Sequence, residues 1–331
     1  MAKKKKVRLQ DIANSTGYSI ATISHFINKT RNIEDSTQKT IVKAMEELGY
    51  QLPTPRIYKQ KDITIGLIIS DIQVDYFAEI IKYTEDFVSK NGYNLLIMDS
   101  EENPQKEKSS IEYMMNKGVA GIILAPANTK SDLSFCKHFP IIQIDRKLDQ
   151  DFFDFVGIDN FTTTYMMTKK LGNKSLDSIG FITFPVDNYT ARERLKGYKL
   201  ATIENNQYQE DHILTISYDT EEDSKDIATF LQENPSIHAL ICTSTNICNA
   251  ALTAIKTLEH AAISKICTFD DNKWLNHLAM PIDSVKQPTQ AIAISACELL
   301  LNRILTQETM NEPKKVYLNS KIIERNTEYL R

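Results

Sequence analysis

From residue 63 to residue 269 the chain alternates short apolar runs with longer segments of helical period, and this alternation restricts the fold more than any other feature. The apolar runs fall at 63–69, 93–98, 121–124, 141–144, 178–184, 212–216, 239–242 and 266–269. Between them, apolar spacing predicts helices near 77–91, 106–117, 162–171, 193–205, 224–232 and 248–258. Strands apolar on both faces, each followed by a helix, require parallel sheets covered by helices on both sides. The stretch is long enough for two such units, which predicts two lobes with a cleft between them.

Residues 1–61 follow a different pattern. They hold twelve Lys and Arg against five Asp and Glu, a net +7, so the remaining residues carry −11 of the overall −4. A basic head on an acidic body points to a polyanion partner for the head alone. The tail Lys3–Lys6 taken by itself is equally a solvated lysine run. Leu9, Ile12 and Ala13 share one face of a short helix, and Gly17 supplies a turn. Ser19 is the expected N-cap of a second helix, 20–28, with Ile23, Phe26 and Ile27 facing inward. A third helix has a capping-box-like start, Asp35 with Gln38 three residues on. It runs through Ile41, Ala44, Met45 and Leu48 to a stop at Gly49. Two helices joined through such a turn form the helix-turn-helix pattern, though three short helices alone leave other functions open.

Specific residues narrow the choice. Val7-Arg8-Leu9-Gln10-Asp11-Ile12-Ala13, Ser19-Ile20-Ala21-Thr22-Ile23-Ser24 with Asn28, and Ala44-Met45-Glu46-Glu47-Leu48-Gly49-Tyr50 resemble the headpiece of the LacI/GalR family of bacterial transcription regulators. The resemblance implies that the second helix enters the major groove of DNA. Ile20, Ala21 and His25 would then face base edges, and Ser19, Thr22, Ser24 and Asn28 the phosphate backbone, which sets register without reading sequence; Arg31 is a candidate for a further phosphate contact, with a solvated loop arginine as the equal alternative. Where the family usually has an arginine this chain has His25, which offers one contact instead of a bidentate pair, and Ile20 and Ala21 offer only apolar contacts. A different, more A·T-rich half-site is expected. The family's hinge helix is replaced by the shorter Gln51-Leu52-Pro53-Thr54-Pro55-Arg56-Ile57-Tyr58-Lys59-Gln60-Lys61. Pro55 disfavours helix at Thr54. Arg56 and Ile57 are candidates for the minor groove, with a plain extended linker as the alternative.

The resemblance continues through the body. It is carried by Ile65-Gly66-Leu67-Ile68, Gly118-Val119-Ala120-Gly121-Ile122-Ile123-Leu124, Ile144-Asp145-Arg146, Val156-Gly157-Ile158-Asp159-Asn160, Ala191-Arg192-Glu193-Arg194-Leu195-Lys196-Gly197-Tyr198, Thr268-Phe269-Asp270-Asp271, Val285-Lys286-Gln287-Pro288 and Ile322-Ile323-Glu324-Arg325-Asn326-Thr327. It implies an all-α helix-turn-helix headpiece (1–50), a hinge (51–61) and a two-lobed α/β periplasmic-binding-protein-like core (62–331). The first lobe would take about 62–158 and 286–318, the second about 159–285 and 319–331, with crossings near 159, 285 and 320. The effector is expected at the carboxyl ends of the strands, among Asp71, Tyr76, Phe77, Asp145, Arg146, Arg194, Tyr218 and Asp270. Carboxylates and an arginine suit a polyhydroxylated ligand, with Tyr218 stacking on it. Alternatives stand for two of these: Arg146 with Asp159 as a structural network, and Phe77 as core. Relatives carry an Asn-Asp pair where this chain has Ser244-Thr245, so the effector need not be an ordinary hexose.

The sequence contains no GxGxxG, no GxxxxGK[ST], no HxxxH and no nucleophile elbow, so an enzyme is not expected. The five cysteines are scattered and never in a CxxC pair, which argues for free thiols in a reducing compartment and against a metal site. No cofactor is implied. The polar start and the lack of a long apolar run predict a cytoplasmic protein with no membrane contact. The resemblance implies a homodimer on a near-palindromic operator, a repressor switched by a carbohydrate-type effector. A second reading keeps the DNA-binding head but puts the core under control of a protein partner. A third makes the chain a sugar-binding protein with no DNA role.

Overall fold

The computed structural model describes residues 7, 9–28, 33–48, 50, 63–172, 178–217, 220–258, 263–306 and 312–325. The chain divides into two units, Met1–Lys59 and Gln60–Arg331.

In the first unit, α1 (Leu9–Thr16), α2 (Ile20–Asn28) and α3 (Asp35–Leu48) close on a small core. Ile12, Ile23 and Ile41 are fully buried there, joined by Ala13, Ala44 and Met45, with Leu9, Tyr18, Phe26 and Tyr50 packed around them. Gly17 adopts φ +72°, which only glycine takes without steric cost. Ser19 caps α2, its Oγ accepting from Thr22 N–H at 3.1 Å. At α3 the expected capping box takes another form. Gln38 Nε2 donates to the Ile33 carbonyl at 2.6 Å, and the helix already begins at Asp35.

The second unit opens with β1 (Thr64–Ile69), α4 (Asp75–Lys90), β2 (Asn94–Asp99), α5 (Pro104–Asn116), β3 (Gly121–Leu124), β4 (Ile141–Ile144) and β5 (Asp154–Ile158). It continues with α6 (Asn160–Gly172), β6 (Ile179–Thr183), α7 (Tyr189–Glu204), β7 (Ile213–Thr215), α8 (Thr220–Glu233), β8 (Ala239–Cys242), α9 (Thr245–Thr257), β9 (Lys265–Phe269) and β10 (Ile282–Lys286). Last come α10 (Thr289–Thr306), β11 (Lys315–Leu318) and β12 (Lys321–Ile323). The alternation in the sequence did not reveal β5, β10, α10, β11 or β12 as elements. Several helices also begin earlier than apolar spacing suggested, because Asn103, Asn188 and Ser244 cap α5, α7 and α9 with side-chain oxygens.

The strands form two six-stranded sheets, ordered β11-β5-β4-β3-β1-β2 and β12-β10-β9-β8-β6-β7. The orders correspond strand for strand, so β4 of the first lobe holds the place of β9 in the second. All pairings are parallel except β10 with β12. The chain passes between sheets after β5, after β10 and between β11 and β12. α10 turns back to pack against α4 and the first sheet. One apolar cluster runs through both lobes, from Ile65 and Val156 to Phe181, Phe269 and Val285. Among the described residues, no helix is long and apolar enough to cross a membrane.

Candidate functional site

The cleft residues sit where strands end. Asp145 follows β4 and Asp270 follows β9, and both adopt left-handed backbone, φ +60° and +67°. That conformation is disfavoured for a residue with a Cβ, and its recurrence at equivalent strand ends marks a site where geometry is imposed by surroundings. Arg194, on the first turns of α7, and Tyr76, at the start of α4, complete the group.

Arg194 is 5% exposed and tightly held. Its Nε donates to Asn160 Oδ1 at 2.8 Å, its Nη1 to the Thr243 carbonyl at 2.5 Å, and its guanidinium lies 3.6 Å from the Phe269 ring centroid. Burial lowers its pKa, opposed by Asp270 and Asp145. Burial is also the first cause pushing Asp145 up to about 6, with Arg146 and Arg194 pulling it back and Asp270 adding to the rise. Asp270 is raised mainly by burial, while Arg194 and a 2.7 Å hydrogen bond from Gln287 Nε2 favour its charged form. The Tyr76 hydroxyl is pushed up by burial and by both aspartates. That hydroxyl, Thr183 Oγ1 and Thr243 Oγ1 are buried without a hydrogen-bond partner. The unpaired Tyr76 hydroxyl beside two carboxylates and a guanidinium forms a set of donors and acceptors suited to a ligand rich in hydroxyl groups.

The remaining expected residues lie as follows. Phe77 is 3% exposed and belongs to the apolar core. Arg146 makes a two-pronged pair with Glu102, at 2.5 and 2.8 Å, and stands 3.3 Å from Asp145 Oδ2. Asp159 accepts instead from Thr162, at the start of α6. Asp71 shapes the turn into α4, accepting from Gln73 N–H at 2.8 Å. Tyr218 lies outside the described residues. Ser244 caps α9, accepting from Ile247 N–H at 3.2 Å, and its carbonyl accepts from Thr268 Oγ1 at 3.0 Å.

Gln287, Asn160 and Glu102 were not singled out by sequence reasoning. The first two stood inside recognisable runs, Val285–Pro288 and Val156–Asn160. Glu102 had no such signal, because nothing local ties it to a residue 44 positions away.

The lobes are drawn together across the cleft. Asn272 Nδ2 donates to Asp75, Thr129 N–H to the Asp187 carbonyl at 3.0 Å, and Arg192 to Asp149 at 2.7 Å.

In the headpiece, Ser19, Ile20 and Ala21 are exposed along the start of α2, Ile20 by 43%, while Thr22 and Ser24 are half-buried. His25 and Asn28 lie on α2 with side chains outside the described set. Arg31, Arg56 and Ile57 lie outside the described residues.

Comparison with known proteins matches residues 8–52 to "bacterial regulatory proteins, lacI family" and residues 62–314 to "periplasmic binding proteins and sugar binding domain of LacI family". The chain is 26% identical over 326 residues to an HTH-type transcriptional regulator RegA of Clostridium saccharobutylicum, covering 96% of this chain and 98% of that one. It is 24% identical over 325 residues to an HTH-type transcriptional repressor PurR of Actinobacillus pleuropneumoniae, covering 96% and 97%. Its fold is similar to that of a transcriptional regulator CelR–cellobiose complex, with a TM-score of 0.72, 21% identity and 97% and 99% of the two chains covered.

Proposed function

The chain belongs to the LacI family of bacterial regulatory proteins, and from that membership we propose a DNA-binding repressor whose hold on its operator is switched by a small molecule bound between the core lobes. One observation carries this reading. A helix-turn-helix unit with Ile20 and Ala21 exposed on α2 shares a chain with a cleft where Arg194, Asp145, Asp270 and the unpaired Tyr76 hydroxyl converge.

In this reading Ile20, Ala21 and His25 read base edges, and Ser19, Thr22, Ser24, Asn28 and Arg31 hold the backbone. Arg56 and Ile57 serve the minor groove between half-sites. The effector is a carbohydrate-type molecule contacting Tyr76, Asp145, Arg194 and Asp270, with Asp71 and Tyr218 at its edge. Phe77 and Arg146 support that wall from behind. The working form is a cytoplasmic homodimer on a near-palindromic operator, because two-fold symmetric protein matches two-fold symmetric DNA. The work is binding, with no catalytic step.

Binding-site selection on genomic fragments tests the reading. A near-palindromic sequence should be enriched, and His25→Ala should relax preference at one position in each half-site. Uniform weakening on all DNA would make His25 a structural or phosphate-contacting residue. Absence of any enriched sequence would overturn the DNA-binding reading. Sugars and polyols are then screened for a shift in operator affinity that Asp270→Asn abolishes. A silent panel would favour control by a protein partner.

A further inference from the structure

Asp145 and Asp270 hold left-handed backbone, and a residue with a Cβ keeps that conformation only where its surroundings over-determine it. In both lobes the fastened residue is the next one in the chain. Arg146, 8% exposed, makes its two-pronged pair with Glu102 at 2.5 and 2.8 Å. Asp271 accepts from Arg325 Nη2 at 2.7 Å and from Ser284 Oγ at 2.8 Å. The polarity is reversed between the lobes, a cation held by an anion in the first and an anion held by a cation in the second. The position is the same, one residue past the strand-end aspartate.

Both outside partners are themselves fixed. Glu102 N–H donates to the Ser70 carbonyl, just past β1, at 2.8 Å. Arg325 N–H donates to Asp283 Oδ1 at 2.8 Å and its Nε to Asn276 Oδ1 at 2.9 Å. Its Nη1 donates to the Ile282 carbonyl at 3.0 Å and to Ser284 Oγ at 2.8 Å, so the side chain runs along β10 and ends on Asp271. Lys286 also approaches Asp271, at 3.9 Å, but its side chain is 62% exposed against 13% for Arg325. Charge pairs sheltered from water hold geometry more firmly than exposed ones.

A left-handed residue at a strand end breaks the alternation of side chains between the two faces. Where the following residue is anchored then decides where the aspartate points. Arg146 is drawn to Glu102 while its N–H bonds back to the Ile144 carbonyl at 2.5 Å, which puts Asp145 at the centre of a tight turn. Asp271 is drawn to β10 and Arg325, which leaves Asp270 to face Arg194 and to accept from Gln287 at 2.7 Å.

We infer that Glu102 and Arg325 are positioning residues of the cleft: each clamps the residue after a strand-end aspartate, and the clamp holds that aspartate in the left-handed turn that presents its carboxyl to Arg194. That an effector meets these carboxyls rests on the proposed regulator; the positioning does not.

Carbon-13 NMR titration of the aspartate carboxyls in the full-length protein tests the inference, with Asp145→Asn and Asp270→Asn assigning the two signals. The test variants conserve charge. Glu102→Asp is too short for the two-pronged pair, and Arg325→Lys lacks the fork that reaches Ser284 and Asp271 together. Burial holds both carboxyls above the ordinary 3.8, Asp145 at about 6. In Glu102→Asp the Asp145 midpoint should fall by roughly one pH unit or more as its turn relaxes into water, with Asp270 unmoved. In Arg325→Lys the Asp270 midpoint should fall and that of Asp145 stay. Ser284→Ala removes the uncharged member of the second clamp; it should move Asp270 the same way by less, and it carries the test if a charge-conserving variant does not fold. Unchanged midpoints in the folded variants, or equal shifts of both aspartates in each variant, would overturn the inference, because the two residues would then support the fold without aiming either carboxyl. Operator binding is measured on the same preparations, and its absence in the wild type would sink the regulator while leaving the positioning result standing.

Discussion

Asp145 and Asp270 end corresponding strands of the two lobes, in the same unfavourable backbone conformation, and face the same guanidinium. Their types and neighbours were legible in the sequence, since Ile144-Asp145-Arg146 and Phe269-Asp270-Asp271 are recognisable runs. Their pairing was not, because it depends on two sheets repeating one strand order. Asp145 leads to a pH prediction. Its carboxyl is raised from 3.8 to about 6, so the folded chain holds that proton more tightly than the unfolded chain does. Its contribution to stability is therefore fully present below about pH 4 and lost as pH rises through about 6. At neutral pH the buried charge costs about 3 kcal/mol, at about 1.4 kcal/mol per pH unit. Asp145→Asn should raise the unfolding midpoint at neutral pH, with the gain shrinking towards pH 4. A gain independent of pH would show that the carboxylate stays hydrated in the native protein.

Helix starts and the last third of the core were harder to read, for identifiable reasons. Apolar spacing finds a helix where its buried stripe begins, but Asn188 and Ser244 start α7 and α9 before that stripe does. The edge strand β11, Lys-Val-Tyr-Leu, is exposed at alternate positions, so no continuous apolar run announces it. Arg303 shows what holds that region instead. It bonds Asp154 at 2.8 and 3.0 Å, and Asp154, fully buried, also accepts from Lys314 N–H at 2.6 Å, tying α10 and the entry to β11 onto β5. Arg303→Leu should cost about 3–5 kcal/mol in a urea titration of the core, because the carboxylate is left buried without its cation. A loss below 1 kcal/mol would mean water reaches Asp154. At α9, Ser244→Ala should cost about 1 kcal/mol and Ser244→Asn almost nothing, since asparagine caps as well as serine. Equal losses in both would assign Ser244 a role beyond the cap. Gly197 has a different constraint: a Cβ there would come 2.4 Å from the Phe161 carbonyl, so the glycine of Arg194-Leu195-Lys196-Gly197-Tyr198 sets how closely α6 and α7 approach.

The two lobes are joined by three chain crossings and fastened across the cleft by Asp75–Asn272, Thr129–Asp187 and Asp149–Arg192. Two of these contacts are made by side chains alone, and removing them should shift the lobes towards an open arrangement. Small-angle scattering of Arg192→Ala/Asn272→Ala should give a larger radius of gyration than wild type, with effector affinity falling by the fraction of molecules left open. An unchanged profile would assign closure to the shared apolar cluster. The two-lobed architecture was legible because strand–helix alternation has few solutions. The cross-cleft contacts were not, because each joins residues far apart in sequence. The placement of β11 has a consequence for synthesis. The ribosome makes β1 to β5 of the first sheet, then all of β6 to β10 of the second, and only afterwards the strand that covers the edge of β5. During that interval the nascent first lobe presents an unpaired strand edge, the kind of surface that recruits chaperones or a neighbouring chain. Neither lobe is a finished folding unit ahead of the other, and both sheets are completed within a few residues of each other.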